Sequence, residues 1–124
     1  MRIRISAEPP EPKIVEFNKE DASLVEFDDS KLSQNTWDEF KAWHNKYAPY
    51  TDIKDNTELL RHKTLLETLD NEGITLTRKI AKEWTDLNVD KFFYYSYGFY
   101  YAVSVDRKSN EIKIEDPARE DWTK

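Results

Sequence analysis

The chain has 124 residues, of which 38% are hydrophobic and 35% charged, with a net charge of −6 and no cysteine. That length holds one domain with a modest core, and the missing cysteines exclude disulfides, thiolate catalysis and cysteine-ligated zinc. The acidic balance argues against a nucleic-acid binder, which concentrates basic charge on one face, and no apolar run reaches membrane length.

Residues 1–35 read as a strand followed by a proline-rich excursion. Arg2-Ile3-Arg4-Ile5 alternates, with Ile3 and Ile5 inward. The first residues lack the apolar segment and cleavage site of a secretory leader, so a cytoplasmic location is expected. Pro9, Pro10 and Pro12 force an extended connection. Lys13–Phe17 and Leu24–Phe27 then form a short hairpin around a turn at residues 18–23.

A helix is expected over residues 36–48, beginning near Ser33 or Thr36. Thr36-Trp37-Asp38-Glu39 matches a capping box, and Trp37, Phe40, Trp43 (or His44) and Tyr47 fall on one face before Pro49. A longer helix follows over residues 57–87, where Leu59, His62, Leu66, Leu69, Gly73, Leu76, Ile80, Trp84 and Leu87 step by threes and fours. Gly73 sits in its buried seam, where a missing side chain lets another backbone approach. A break at residues 71–73 is the alternative.

The aromatic run Phe92–Val105 reads as strand, with the odd positions as its core face. Tyr97-Gly98 fits either a turn that splits the run or a bulge in one long strand. After a turn at Asp106–Asn110, Glu111-Ile112-Lys113-Ile114-Glu115 alternates with both isoleucines inward, closing a β-hairpin over 92–115. Residues 117–124 form a tail expected to be mobile. The expected class is α+β: an antiparallel or mixed sheet packed against two helices in the order β-(β-β)-α-α-β-β.

Catalytic and cofactor chemistry finds little support in these residues. His44 and His62 are the only histidines, and no spacing such as H-E-x-x-H joins them into a zinc site. Two glycines are too few for a phosphate loop. Asp28-Asp29 and Asp52-x-x-Asp55 lack the glycine and final glutamate of a calcium loop. No catalytic, cofactor-binding or metal-ligating residue is assigned. Phe92, Tyr94 and Tyr100 fit either of two roles, packing under a helix or loop, or forming an exposed aromatic patch of the kind that anchors interfaces.

The succession Met1–Arg4, Leu32-Ser33 before Trp37, Trp43 and Tyr47, then Asp70–Trp84, then Lys91–Tyr95, resembles a loose group of small bacterial proteins. Some of these look like immunity proteins of contact-dependent inhibition and related polymorphic toxin systems. The match consists of scattered positions, mostly core and capping residues. Pro9-Pro10-Glu11-Pro12 replaces an aromatic-rich segment usual in that group. The resemblance implies a cytoplasmic, non-enzymatic protein that covers the active site of a toxin, often a nuclease. Its contacts are expected at Glu26, Asp28, Asp29, Asp52 and Asp55, with Tyr94 and Tyr100 as anchors. The alternative is another acidic inhibitor, such as a phage-encoded inhibitor of a host nuclease. Self-association through Phe92, Tyr94 and Tyr100 is a further possibility, and the oligomeric state stays open.

Overall fold

The computed structural model describes residues 2–7, 12, 14–17, 22–25, 32–51, 56–84, 89, 91–96 and 102–115. Within these, six strands form one sheet: β1 (Arg2–Ser6), β2 (Ile14–Phe17), β3 (Ala22–Val25), β4 (Lys91–Tyr95), β5 (Ala102–Asp106) and β6 (Ile112–Glu115). Their order across the sheet is β3-β2-β1-β4-β5-β6. β1 runs parallel to β4 and every other pairing is antiparallel, so the sheet is mixed and the α+β expectation holds.

Helix α1 (Gln34–Tyr47) runs into a 3₁₀ turn (Ala48–Tyr50). Two further helices follow, α2 (Asn56–Arg61) and α3 (Lys63–Glu83). α1 and α3 pack antiparallel. Thr36 Oγ1 donates to Glu83 at 2.7 Å, Lys79 pairs with Glu39 at 2.7 Å, and Lys46 pairs with Glu72 at 2.9 Å. The partner numbers fall on one helix as they rise on the other. α3 lies over the sheet at β1, β4 and β5.

One core fills the space between the layers. Ile3, Ile5, Ile14, Phe92, Tyr94, Val103 and Val105 rise from the sheet to meet Phe40, Trp43 and Tyr47 of α1 and Leu66, Leu69, Leu76 and Ile80 of α3. Several expectations hold here. Ile3 and Ile5 point inward, and the aromatic stripe of α1 is the face it buries. The long helix also passes through Gly73 unbroken.

Other expectations are corrected. The N-cap of α1 is Ser33, whose Oγ accepts from the Thr36 amide at 3.2 Å, while Glu39 turns to Lys79 instead of closing a box. The helix expected over 57–87 is two helices. The break falls at His62, with φ −105° and ψ 13°, and α3 ends at Glu83. Gly73 admits rings, not a backbone: a Cβ there would lie 2.2 Å from Tyr94 Cε1 and 2.8 Å from Trp43 Cζ2.

The aromatic run is not one strand with a single core parity. Phe92 pairs with Val105 and Tyr94 with Val103, so β4 turns even positions to the helices and β5 odd ones. In this register every even residue of β4 faces an odd residue of β5, so the core parity switches between the two strands, which a continuous strand cannot do. Phe93, on the other face, is buried too, at 4% exposure. The expected hairpin over 92–115 is thus a three-stranded meander. Ile112 is 47% exposed: β6 is the outermost strand, and α3 lies chiefly over β1, β4 and β5. The turn expected at residues 18–23 is shorter, since Ala22 and Ser23 already pair in β3, while residues 18–21, Tyr97-Gly98 and the tail over 117–124 lie outside the described residues.

Candidate functional site

The most elaborate polar arrangement centres on Asp70, which is 1% exposed in the middle of α3. Leu66, Leu69, Gly73, Leu76 and Thr77 share its buried stripe, so the helix carries this carboxyl into the core by its own periodicity. Three hydroxyls meet it there. Tyr47 at the end of α1 donates to Oδ1 at 3.1 Å, Tyr94 of β4 donates to Oδ1 at 2.5 Å, and Ser96 just past β4 donates to Oδ2 at 2.8 Å.

Burial pushes the Asp70 carboxyl up from its ordinary range, and the three hydroxyl donors work against that rise. Glu67, one turn earlier, adds a smaller push in the same direction as burial. A buried carboxyl shared by α1, α3 and β4 ties the two layers together at one point. Trp43 reinforces the tie, its indole N–H donating to the Leu69 carbonyl at 2.8 Å.

A second feature lies on the outside of the helical layer. A groove of 560 Å³ runs between α1 and α3, with Trp43, Ala42 and Leu76 along its apolar floor. The Glu39–Lys79 and Lys46–Glu72 ion pairs bridge it at two levels. The small side chain of Ala42 leaves space between them. A groove of this size, apolar at its floor and charged at its rim, can take the apolar side chains of a binding partner or a small apolar ligand.

The histidines sit apart. His44 is buried on α1 against Phe40, ring centroids 6.4 Å apart. His62, at the break between α2 and α3, packs on Tyr50 at 5.1 Å and lies 3.4 Å from Glu58. Among the described residues, no group of three or more acidic, histidine or cysteine side chains is placed to hold a metal.

Of the residues expected to contact a partner, Tyr94 is corrected: it is fully buried and serves Asp70, so it offers no exposed anchor. Phe92 is likewise interior, which removes both from any self-association surface. Glu26, Asp28, Asp29, Asp52, Asp55 and Tyr100 lie outside the described residues. Asp70 escaped the sequence reading. Its signal was a lone carboxylate on the apolar stripe of a long helix, one turn from a glycine.

No family model, curated protein or solved structure matches this chain. Among the described residues, no helix is long and apolar enough to cross a membrane.

Proposed function

We propose that the protein is a cytoplasmic immunity protein, which binds a cognate bacterial toxin and blocks its active site without catalysing a reaction. The toxin is a protein, and a basic nuclease is the kind its charge fits. The observation that carries this reading is how the titratable groups are used. Asp70 is a tie inside the core, His44 packs within α1's aromatic face, and His62 joins Tyr50 and Glu58. What this leaves at the surface is acidic charge within a net of −6. Complementary charge raises the association rate with a basic partner and disfavours wrong ones.

The groove between α1 and α3 adds a place for an apolar anchor beside Lys46, Glu72, Glu39 and Lys79. Buried anchors with a charged rim are the usual source of tight binding. Direct contact with nucleic acid forms no part of this role.

The test is co-expression with the product of the neighbouring gene, scored by growth rescue and by co-purification. Rescue with a 1:1 complex is expected, and charge reversal at Asp28, Asp29, Asp52 and Asp55 is expected to weaken it. A folded protein that neither binds nor rescues overturns the proposal.

A further inference from the structure

The outer edge of the sheet carries a short palindrome, Glu111-Ile112-Lys113-Ile114-Glu115. Among the described residues, β6 pairs with β5 alone. The ladder decides which backbone groups face outward. Asp106 N–H donates to the Glu111 carbonyl at 2.9 Å, which marks 106 and 111 as a hydrogen-bonded pair. Antiparallel pairs alternate, so Ile112 and Ile114 turn their N–H and C=O groups to the side of β6 away from β5, where no described strand pairs with them. The Ile112 side chain stands 47% exposed beside those groups. Edge strands of this kind accept another strand.

We infer that β6 is an interface between two copies of this chain, paired antiparallel with Ile112 opposite Ile112 of the second copy. Charge selects the occupant and disfavours an axis at Lys113, and the exposed Ile112 places the axis among the registers that charge allows. A two-fold axis at Ile112 sets Glu111 of each copy opposite Lys113 of the other, two opposite-charge pairs flanking an apolar one. An axis at Lys113 sets lysine against lysine and glutamate against glutamate, which is unfavourable for directly facing residues. The Ile112 axis also covers the exposed isoleucine. The contact is self-complementary, as a two-fold dimer requires. It does not depend on the toxin-binding role, since it uses β6 and not the groove between α1 and α3.

Sedimentation velocity of the intact protein over a range of concentrations tests the pairing. The mass is expected to rise toward that of two protomers. E111K and K113E each turn two attractive pairs into repulsive ones, so each is expected to weaken association about tenfold. The double variant E111K/K113E restores the attraction and the dimer with it. The natural absence of cysteine gives a second readout: Ile112→Cys is expected to form a disulfide-linked dimer faster than Leu60→Cys, although Leu60 is more exposed at 65%. One protomer mass at every concentration overturns the inference, as does a dimer indifferent to both single reversals. Rescue of K113E by E115K and not by E111K overturns the Ile112-centred register.

Discussion

Tyr94 occupies the space that a side chain on residue 73 would need: a Cβ added to Gly73 falls 2.2 Å from its Cε1 and 2.7 Å from its Cζ. The two residues lie on different layers, and their contact lets α3 settle close enough for Asp70 to reach the same phenol. On helix propensity alone, Gly73→Ala gains about 1 kcal/mol. Here the methyl group meets two aromatic rings wedged in the core, and overpacking of that kind costs about 1–3 kcal/mol or more. Urea denaturation is expected to show G73A less stable than wild type. A midpoint higher than wild type contradicts this packing.

Asp70 is expected to respond to the shape of its replacement. Asp70→Asn keeps an oxygen for the Tyr47 and Tyr94 hydroxyls and removes the cost of a buried charge, so the fold should tolerate it. Asp70→Ala removes the acceptor of three buried hydrogen bonds, worth about 1 kcal/mol each, and opens a cavity. The gap between the two variants in chemical denaturation measures the hydrogen bonds and the cavity together, apart from the charge.

The pH dependence of stability has two opposed contributions. Asp70 is raised, so between the ordinary carboxyl value of 3.8 and its own the folded chain holds a proton that the unfolded chain has lost. Its contribution is complete below that ordinary value and fades as pH rises through the folded one. Asp106 is lowered from 3.8, chiefly by the amides of Ser109 and Lys108 that donate to its carboxylate. Its contribution is present above 3.8 and is lost as pH falls through its lowered value. Thermal melts across pH should show D70N removing the decline on the rising side and D106N removing the loss on the acid side.

Arg107 closes the lower end of the helical layer. Its guanidinium donates to the carbonyls of Trp84, just past α3, and of Val89, the latter at 2.9 Å. Lysine at this position keeps the charge and loses the fork that serves two carbonyls. Arg107→Lys is expected to cost about 1.5–3 kcal/mol, the range for a hydrogen bond involving a charged group. Amide exchange should quicken at the C-terminal turn of α3 before it changes in β4.

Much of this architecture is legible in the chain. The spacing of Phe40, Trp43 and Tyr47 identifies both α1 and its buried side, and Ile3 and Ile5 give the inward face of β1. What the sequence hides is set by partners distant in the chain. The break at His62 is invisible because Leu59, His62 and Leu66 keep helical phase across it. The parity of the aromatic run depends on whether it reverses, and alternation alone reads the same within each strand. Asp70 takes its meaning from Tyr47 and Tyr94, brought to it from another helix and from the sheet. The acidic positions expected to meet a partner lie outside the described residues, so the sequence remains the argument for them.

The place of β1 sets a condition on biosynthesis. It is the first of the described strands, yet it lies inside the sheet, and its parallel neighbour is β4 at residues 91–95. A nascent chain that has released β1, β2 and β3 has a sheet closed on one side only, with Ile3 and Ile5 waiting for Phe92 and Tyr94. Long-range pairing of this kind cannot begin until the residues through β4 have left the ribosome. Stalled or truncated products ending before β5 therefore lack a complete sheet, and folding should appear late and abruptly as the chain is lengthened.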